Sequence, residues 1–118
     1  MKALKSLTWA INQNDDKIAF QLIGELSRDT LLPLWEQRAS FLSAEKLSMS
    51  YVYWDLFQVN RIDSAGFALL CDFLQYCQTT VKREQRIILK NVPSQFFTLA
   101  DLFGLSAWIA TFVQSDGK

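Results

Sequence analysis

A chain of 118 residues, half of them apolar, is long enough to bury one core, and we predict a single domain over residues 1–118 with an ordered core at about 6–112. Its 12 basic and 12 acidic residues cancel without forming a run of one sign, which excludes nucleic-acid binding through a phosphate-tracking patch. The chain has no His, the commonest general base and metal ligand, so we expect neither a metal site nor a cofactor.

The cysteines and the N-terminus indicate the compartment. Cys71 and Cys77 lie six residues apart on one predicted helix. They are therefore about 240° apart around its axis, cannot form a disulfide, and suit a reducing cytoplasm. Met1–Thr8 carries two lysines but no continuous apolar run, so it is not a signal peptide. No apolar run is long enough to span a bilayer, and we expect a cytoplasmic protein that reaches a membrane only through a partner.

Alternating apolar residues predict an antiparallel hairpin at the start of the chain. Residues 7–11 alternate as one strand, Asn12–Asp16 has the composition of a turn, and Lys17–Gly24 alternates as a second strand. Asp29 or Thr30 is then predicted to cap a helix that runs to about Leu42. The residues expected to face the sheet recur at helical spacing: Leu32, Trp35, Ala39 and Leu42.

The middle of the chain contains a strand that leads directly into a helix. Ser43–Ser50 is predicted to be a polar connection. Tyr51–Leu56 is aromatic and β-branched, which is typical of a central strand with both faces covered. The strand continues to a tight turn at Asp63–Gly66, and a helix follows from Ser64 to Thr79. At this turn Ser64 is the candidate N-cap, Asp63 is read as a turn-fixing carboxylate, and Gly66 as a position of close backbone approach.

The last third of the chain completes an α/β pattern. Arg86–Lys90 is predicted to be a fourth strand, and a third helix is capped by Ser94 and ended by Gly104. We expect Ser106–Phe112 to pack back on the core and Gln114–Lys118 to fray. The order β-β-α-β-α-β-α predicts an α/β fold with a mixed four- to five-stranded sheet and about three helices.

One face of the predicted Ser64–Thr79 helix carries small and polar residues. This stripe is formed by Ser64, Ala68, Asp72, Gln75 and Thr79. It suits either a surface on which another protein approaches the backbone closely or simply the solvent side of an amphipathic helix. We expect no enzyme, because the sequence shows no nucleophile with its base, no paired carboxylates in a cleft and no set of metal ligands.

The motifs resemble the STAS domain family. The resemblance rests on Gly24-Glu25-Leu26 and on the spaced residues of Asp55–Gly66, and it covers nearly the whole chain. STAS domains include the anti-anti-sigma factors and the C-terminal domains of sulfate transporters. Within the family, Leu31–Glu36, Asp63–Leu70 and Thr98–Ala100 are similar to the MlaB-type subunits of Mla ABC transporters, which move phospholipid between the two membranes of Gram-negative bacteria and support outer-membrane lipid asymmetry.

The resemblance implies a non-enzymatic subunit that binds the ATPase of a Mla-type transporter, assembles or regulates it, and is peripheral to the inner membrane through that complex. Together with the stripe, it predicts these partner-binding residues: Trp35, Asp63, Ser64, Ala65, Gly66, Phe67, Ala68, Asp72 and Gln75.

Two alternatives stay open. The first is an anti-anti-sigma factor switched by phosphorylation of Ser64, because Ser64 matches the phosphorylatable position of those proteins. Ala65 stands where many of them have a second Ser or Thr. The second alternative is direct binding of a nucleotide or lipid in a small pocket.

Overall fold

The computed structural model describes residues 5–48, 51–80 and 87–113. Four strands form one sheet: β1 Leu7–Asn14, β2 Lys17–Leu26, β3 Tyr51–Ile62 and β4 Ile87–Lys90. Six helical segments accompany it: α1 Leu31–Glu36, α2 Arg38–Phe41, α3 Ala44–Ser48, α4 Ser64–Thr80, α5 Ser94–Leu102 and α6 Ser106–Ala110. The predicted α/β class is confirmed.

The sheet is mixed, as predicted. Its strand order is β1-β2-β3-β4, with β1 antiparallel to β2, and with β2, β3 and β4 mutually parallel. The hairpin turn is shorter than predicted, because β1 continues to Asn14 and only Asp15 and Asp16 form the turn, Asp15 with a φ of 55°. Beyond β4, a single parallel bridge joins Leu89 to Val113.

Only one face of the sheet is fully buried. The buried strand residues alternate: Ile18, Phe20 and Leu22 in β2, Val52, Trp54 and Leu56 in β3, and Ile87 and Leu89 in β4. On the other face Tyr51, Tyr53 and Asp55 are half-buried, and the Lys90 ammonium lies 5.6 Å from the centre of the Tyr53 ring. The prediction that both faces of this strand are covered is therefore wrong, because in the described segments the core packs against one face.

Two β-bulges lengthen β3 relative to β2. Gln21 pairs with Asp55 but Ile23 pairs with Gln58, so β3 gains one residue in that interval. In β3 a second extra residue lies between the pairing partners of Gly24 and Glu25. Because each bulge adds a residue, the buried positions of β3 change from every second residue to every third, ending at Leu56, Val59 and Ile62.

An aromatic cluster joins the sheet to α4. The Phe20 and Trp54 rings stack with centroids 4.5 Å apart, and Trp54 and Phe73 stack at 5.6 Å. Phe73 also meets Phe41 edge-on at 5.9 Å and Trp35 in a stacked arrangement at 6.4 Å. Phe73 thus connects the buried face of the sheet to the segment α1–α2.

The first predicted helix is broken in two at Gln37. Arg38 donates a guanidinium hydrogen bond to the Trp35 carbonyl at 2.8 Å, and the Ser40 hydroxyl donates to the Gln37 carbonyl at 2.7 Å. These side chains satisfy carbonyl groups at the break, which permits it. The predicted sheet-facing set is partly wrong. Leu42 is buried and Trp35 half-buried, but Leu32 and Ala39 are exposed and the buried positions are Leu34, Phe41 and Leu42.

The segment around this helix differs from prediction in two further ways. Thr30 holds the N-cap position, but its hydroxyl donates to the Glu25 carbonyl at 2.7 Å instead of capping the helix. Asp29 pairs with Lys5 at 2.8 Å. The predicted polar connection at 43–50 contains α3, whose Leu47 is fully buried, so that prediction is wrong.

The end of α5 follows its prediction more closely than its start. Pro93, not Ser94, occupies the N-cap, and no side chain caps the helix. Gly104 is the C′ residue with a φ of 73°, and Gly104 and Leu105 donate to the carbonyls of Asp101 and Ala100, as in a Schellman motif. Packing of the last segment is confirmed, because Ile109 and Phe112 are buried. Arg86 and residues 114–118 lie outside the described residues.

Both cysteines are free thiols, and Cys77 lies inside the core beside Trp54. Burial raises the pKa of the Cys77 thiol to about 12 from an ordinary value near 9, and the Trp54 indole N–H partly offsets that rise. Among the described residues this N–H has no hydrogen bond of ordinary geometry. The Cys77 sulfur, a weak acceptor, is therefore the neighbour that partly satisfies the buried Trp54 indole N–H.

The raised pKa of Cys77 predicts a loss of stability in alkali. The unfolded chain loses this proton near pH 9 and the folded chain only near pH 12, so the contribution is complete below pH 9 and declines as the pH rises. The serine of Cys77→Ser does not titrate in this pH range. Between pH 7 and pH 10 the free energy of unfolding of this variant should therefore fall by about 1 kcal/mol less than that of the wild type. Urea unfolding at both pH values measures this. Equal losses in the two proteins would contradict it.

Candidate functional site

The turn between β3 and α4 is fixed by Asp63. One carboxylate oxygen accepts the Gly66 N–H at 2.9 Å and the other accepts the Arg28 N–H at 3.1 Å, so Asp63 caps α4 and holds the β2–α1 loop beside it. The Asp63 N–H donates to the Leu26 carbonyl at 3.3 Å. The prediction for Asp63 is confirmed. The prediction that Ser64 is the N-cap is wrong, because Asp63 holds that position and Ser64 is the first helical residue.

Gly66 allows α4 to begin directly against the end of β2. A Cβ atom built on Gly66 would overlap the Leu26 carbonyl oxygen and lie 2.9 Å from Leu26 Cγ. Real Cβ atoms do not approach a backbone oxygen so closely, so this is the close approach that the sequence predicted. Gly66 therefore sets the position of the first turn of α4.

The predicted site residues near the turn divide into exposed and buried ones. Ser64 is exposed, and its hydroxyl has no hydrogen bond to any part of the chain that the structure describes. Ala65 is half-buried. Phe67 is buried, its ring centre 4.8 Å from that of Phe96 and 5.8 Å from that of Phe103. Phe67 and the buried Gly66 are corrections to the predicted surface, because neither offers a side chain to a partner.

The predicted stripe of α4 is a continuous exposed face. Every member is exposed: Ser64, Ala68, Asp72, Gln75 and Thr79. The opposite side of the helix is in the core, where Leu70, Phe73, Leu74 and Cys77 are almost fully buried. The stripe thus presents small and polar side chains on a helix that is held firmly from behind.

A groove runs along each side of the stripe. The α4–α6 groove has a volume of about 430 Å³ and is lined by Ala68, Cys71, Asp72, Gln75, Leu105 and Trp108. The α2–α4 groove has a volume of about 580 Å³ and is lined by Glu36, Arg38, Ala39, Leu42, Ser43, Ala44, Asp72, Phe73 and Tyr76. Asp72 lines both grooves, so it stands on the ridge between them.

Trp35 lies beside the middle of α4. Its ring stacks on Phe73, which is nine residues beyond Ser64 and therefore about 14 Å further along the helix. The Arg38 guanidinium carbon lies 3.6 Å from the centre of the Trp35 ring. Trp35 is half-buried. The structure therefore associates Trp35 with the middle of the stripe, near Asp72, and does not bring it to the Ser64 turn.

Sequence reasoning missed the residues that form the far walls of the grooves. Leu105 and Trp108 follow α5, and the Trp108 indole N–H donates to Gln78 of α4 at 3.2 Å. The prediction that Ser106–Phe112 packs on the core was the only signal for this wall. Arg38 and Tyr76 carried no sequence signal, and Glu36 carried only its place in the Leu31–Glu36 stretch of the resemblance.

A family model described as "Mlab, STAS domain" matches residues 9–113. The chain belongs to the STAS family. The match begins at Trp9, the third residue of β1, and ends at the Leu89–Val113 bridge, so it contains the Asp63 turn, the whole of α4 and the walls of both grooves. The predicted resemblance is confirmed.

Two relatives of this STAS domain are named "Intermembrane phospholipid transport system binding protein MlaB". The protein of Haemophilus influenzae is 54% identical over 107 residues, which are 91% of this chain and 99% of that protein. The protein of Escherichia coli is 36% identical over 103 residues, or 87% of this chain and 93% of that protein. Both likenesses therefore extend over nearly the full length of the relatives.

Solved structures of lower sequence identity share the fold. SpoIIAA, an anti-sigma factor antagonist, superposes in its unphosphorylated form with a TM-score of 0.58 at 16% identity, covering 92% of this chain and 90% of that one. The phosphorylated form, from Bacillus, gives 0.60 at 17% identity, with 92% and 93% covered. At these identities the likeness shows the fold alone. In the described segments no helix is both long and apolar enough to cross a membrane.

Proposed function

We propose that this STAS domain is a non-enzymatic subunit of an intermembrane phospholipid transport system, and that it binds the ATPase of that system and assembles or regulates it. Support comes from the two relatives named for such a system, at 54% and 36% identity. In this proposal the domain works in the cytoplasm, stays at the inner membrane through the transporter, and supports the lipid asymmetry of the outer membrane.

The exposed stripe of α4 is the observation that carries the proposed binding mode. Ser64 and Ala68 present almost no side chain, so a partner helix or loop can approach the α4 backbone closely. The two grooves on either side of the stripe can receive larger side chains of a partner. Gly66, Phe67 and Asp63 contribute by holding α4 in place, and the contact itself is assigned to Ser64, Ala65, Ala68, Asp72 and Gln75.

The transport role is favoured over an anti-anti-sigma role on sequence identity. The relatives named for transport are 54% and 36% identical, whereas SpoIIAA is 16–17% identical. The free Ser64 hydroxyl suits a contact residue as well as a phosphate acceptor, so it does not separate the two roles. Phosphate found on Ser64 after incubation with ATP and a kinase-type anti-sigma factor would support the alternative.

Substitutions that fill the stripe test the proposal. Ser64→Arg and Ala68→Arg should each weaken binding to the purified ATPase by about 30-fold or more, because a long side chain prevents close approach at the centre of the contact. Isothermal titration calorimetry measures the affinity. Gln13→Arg, on the exposed end of β1, introduces the same side chain away from α4 and should bind as wild type. Wild-type affinity in both α4 variants, with unchanged melting temperatures, would refute the proposed surface.

A further inference from the structure

The α2–α4 groove contains two carboxylates that have no ionic partner among the described residues. Asp72 is the only charged residue in the 17 residues of α4, and it is exposed on the ridge. Glu36, at the end of α1, is also exposed and lines the same groove. In the described ranges neither carboxylate forms an ion pair. Within the part of the chain that the structure describes, the groove therefore presents negative charge that no salt bridge neutralises.

Arg38, the one cation that lines this groove in the described part of the chain, is occupied elsewhere. Its guanidinium carbon lies 3.6 Å from the centre of the Trp35 ring, and its Nη1 donates to the Trp35 carbonyl at 2.8 Å. These contacts combine a cation–π interaction with a hydrogen bond at the break between α1 and α2. Arg38 is thus held against Trp35 and leaves the two carboxylates available.

The remaining lining suits the aliphatic stem of a long cation. Phe73 is buried at the floor, Leu42 is buried at the side, and the Tyr76 ring is 39% exposed. Lysine and arginine bury their methylene groups against such apolar surfaces while their charged ends meet carboxylates. The combination of an apolar floor with two carboxylates that form no ion pair among the described residues favours a cationic side chain.

We propose that the α2–α4 groove receives a lysine or arginine side chain of the ATPase, which pairs with Asp72 and Glu36 when the partner docks on the α4 stripe. This inference rests on the proposed function, and it adds the chemistry of the partner residue. The geometry places the pair at the middle of the stripe, where Asp72 lies near Trp35. The contact there is electrostatic, whereas the contact at Ser64 and Ala68 depends on small size.

Neutral isosteres test this pairing without changing shape. Asp72→Asn should weaken binding of the purified ATPase about tenfold, and the double variant with Glu36→Gln should weaken it further. The affinity of the wild type should fall as NaCl rises from 50 to 300 mM, and this salt dependence should be smaller in the double variant. Asp101→Asn, which removes an exposed carboxylate of α5 outside both grooves, is the matched control and should change neither quantity.

The outcomes separate this inference from the proposed function. If Ala68→Arg abolishes binding while the neutral variants keep wild-type affinity and salt dependence, the cationic pairing is overturned and the docking surface stands. If Asp101→Asn weakens binding as much as Asp72→Asn, overall charge is responsible and the assignment to the groove is overturned. If Ala68→Arg binds as wild type, the docking surface and the pairing both fail.

Discussion

Replacing Gly66 with Ala is expected to lower the free energy of unfolding by about 2 kcal/mol, because overpacking costs about 3 kcal/mol and the better helix propensity of Ala offsets about 1 kcal/mol of it. The loss is large because the added Cβ meets the backbone oxygen of Leu26, which cannot rotate away as a side chain does. Either α4 moves off the end of β2 or the Asp63 hydrogen bonds at the turn are lost. Urea unfolding followed by circular dichroism measures the change.

Gly104→Ala is the control that separates the close approach from the general effect of losing a glycine. Gly104 has a φ of 73°, and nothing lies within 4 Å of a Cβ built there. Ala at this position therefore costs only the strain of a left-handed conformation, about 1 kcal/mol. A loss for Gly66→Ala no greater than that for Gly104→Ala would contradict the role assigned to Gly66.

Phe73→Ala is expected to be the most destabilising substitution on α4, with a loss of about 4 kcal/mol. The Phe73 ring is 1% exposed and contacts the rings of Trp54, Phe41 and Trp35, so its removal leaves a cavity between the sheet and the α1–α2 segment. The fluorescence spectrum should also shift to longer wavelength in the folded variant, because Trp35 loses the ring that shields it from water. Chemical unfolding and the emission maximum measure the two effects.

Tyr76→Ala provides the comparison on the same helix, three residues further along. Its ring is 39% exposed and forms none of the ring contacts described above, so truncation should cost less than about 1 kcal/mol. Similar losses for Phe73→Ala and Tyr76→Ala would show that the aromatic cluster does not hold α4 on the sheet.

The strands and α4 could be predicted because local pattern and tertiary environment agree there. Alternation in residues 17–24 reflects a sheet with one buried face, whereas in β1 Leu7 and Trp9 are half-buried but Ile11 is 45% exposed. The helix α4 is long enough for its apolar side to be unambiguous. Gly104 was predictable because a helix that ends on a left-handed residue selects glycine. In these elements a single structural requirement accounts for the type of residue at each position.

The sequence-based predictions that were wrong concern features set by contacts that no local pattern contains. The break at Gln37 is accompanied by hydrogen bonds from the Arg38 and Ser40 side chains, and α3 buries Leu47 in the core. Asp63 and Ser64 are both good capping residues, and only the backbone position of the turn decides between them. The composition of β3 suggested burial on both faces, yet aromatic residues such as Tyr53 also suit a half-covered face.

The candidate site was predictable in its exposed face but not in its boundaries. Helical spacing alone placed Ser64, Ala68, Asp72 and Gln75 together. Spacing could not show that Phe67 turns inward, because this depends on Phe96 and Phe103 of a distant helix segment. Nor could it show the grooves, whose far walls come from α6 and from the α1–α3 segment.

The two bulges of β3 make the length of this strand intolerant of deletion. Together they add two residues between Asp55 and Arg61 relative to β2, which brings Asp63 opposite the Arg28 N–H. Loss of a single residue from this interval would either reverse which side chains face the core or move Asp63 away from that N–H. Among relatives of this chain, the interval should therefore vary by substitution while its number of residues stays constant.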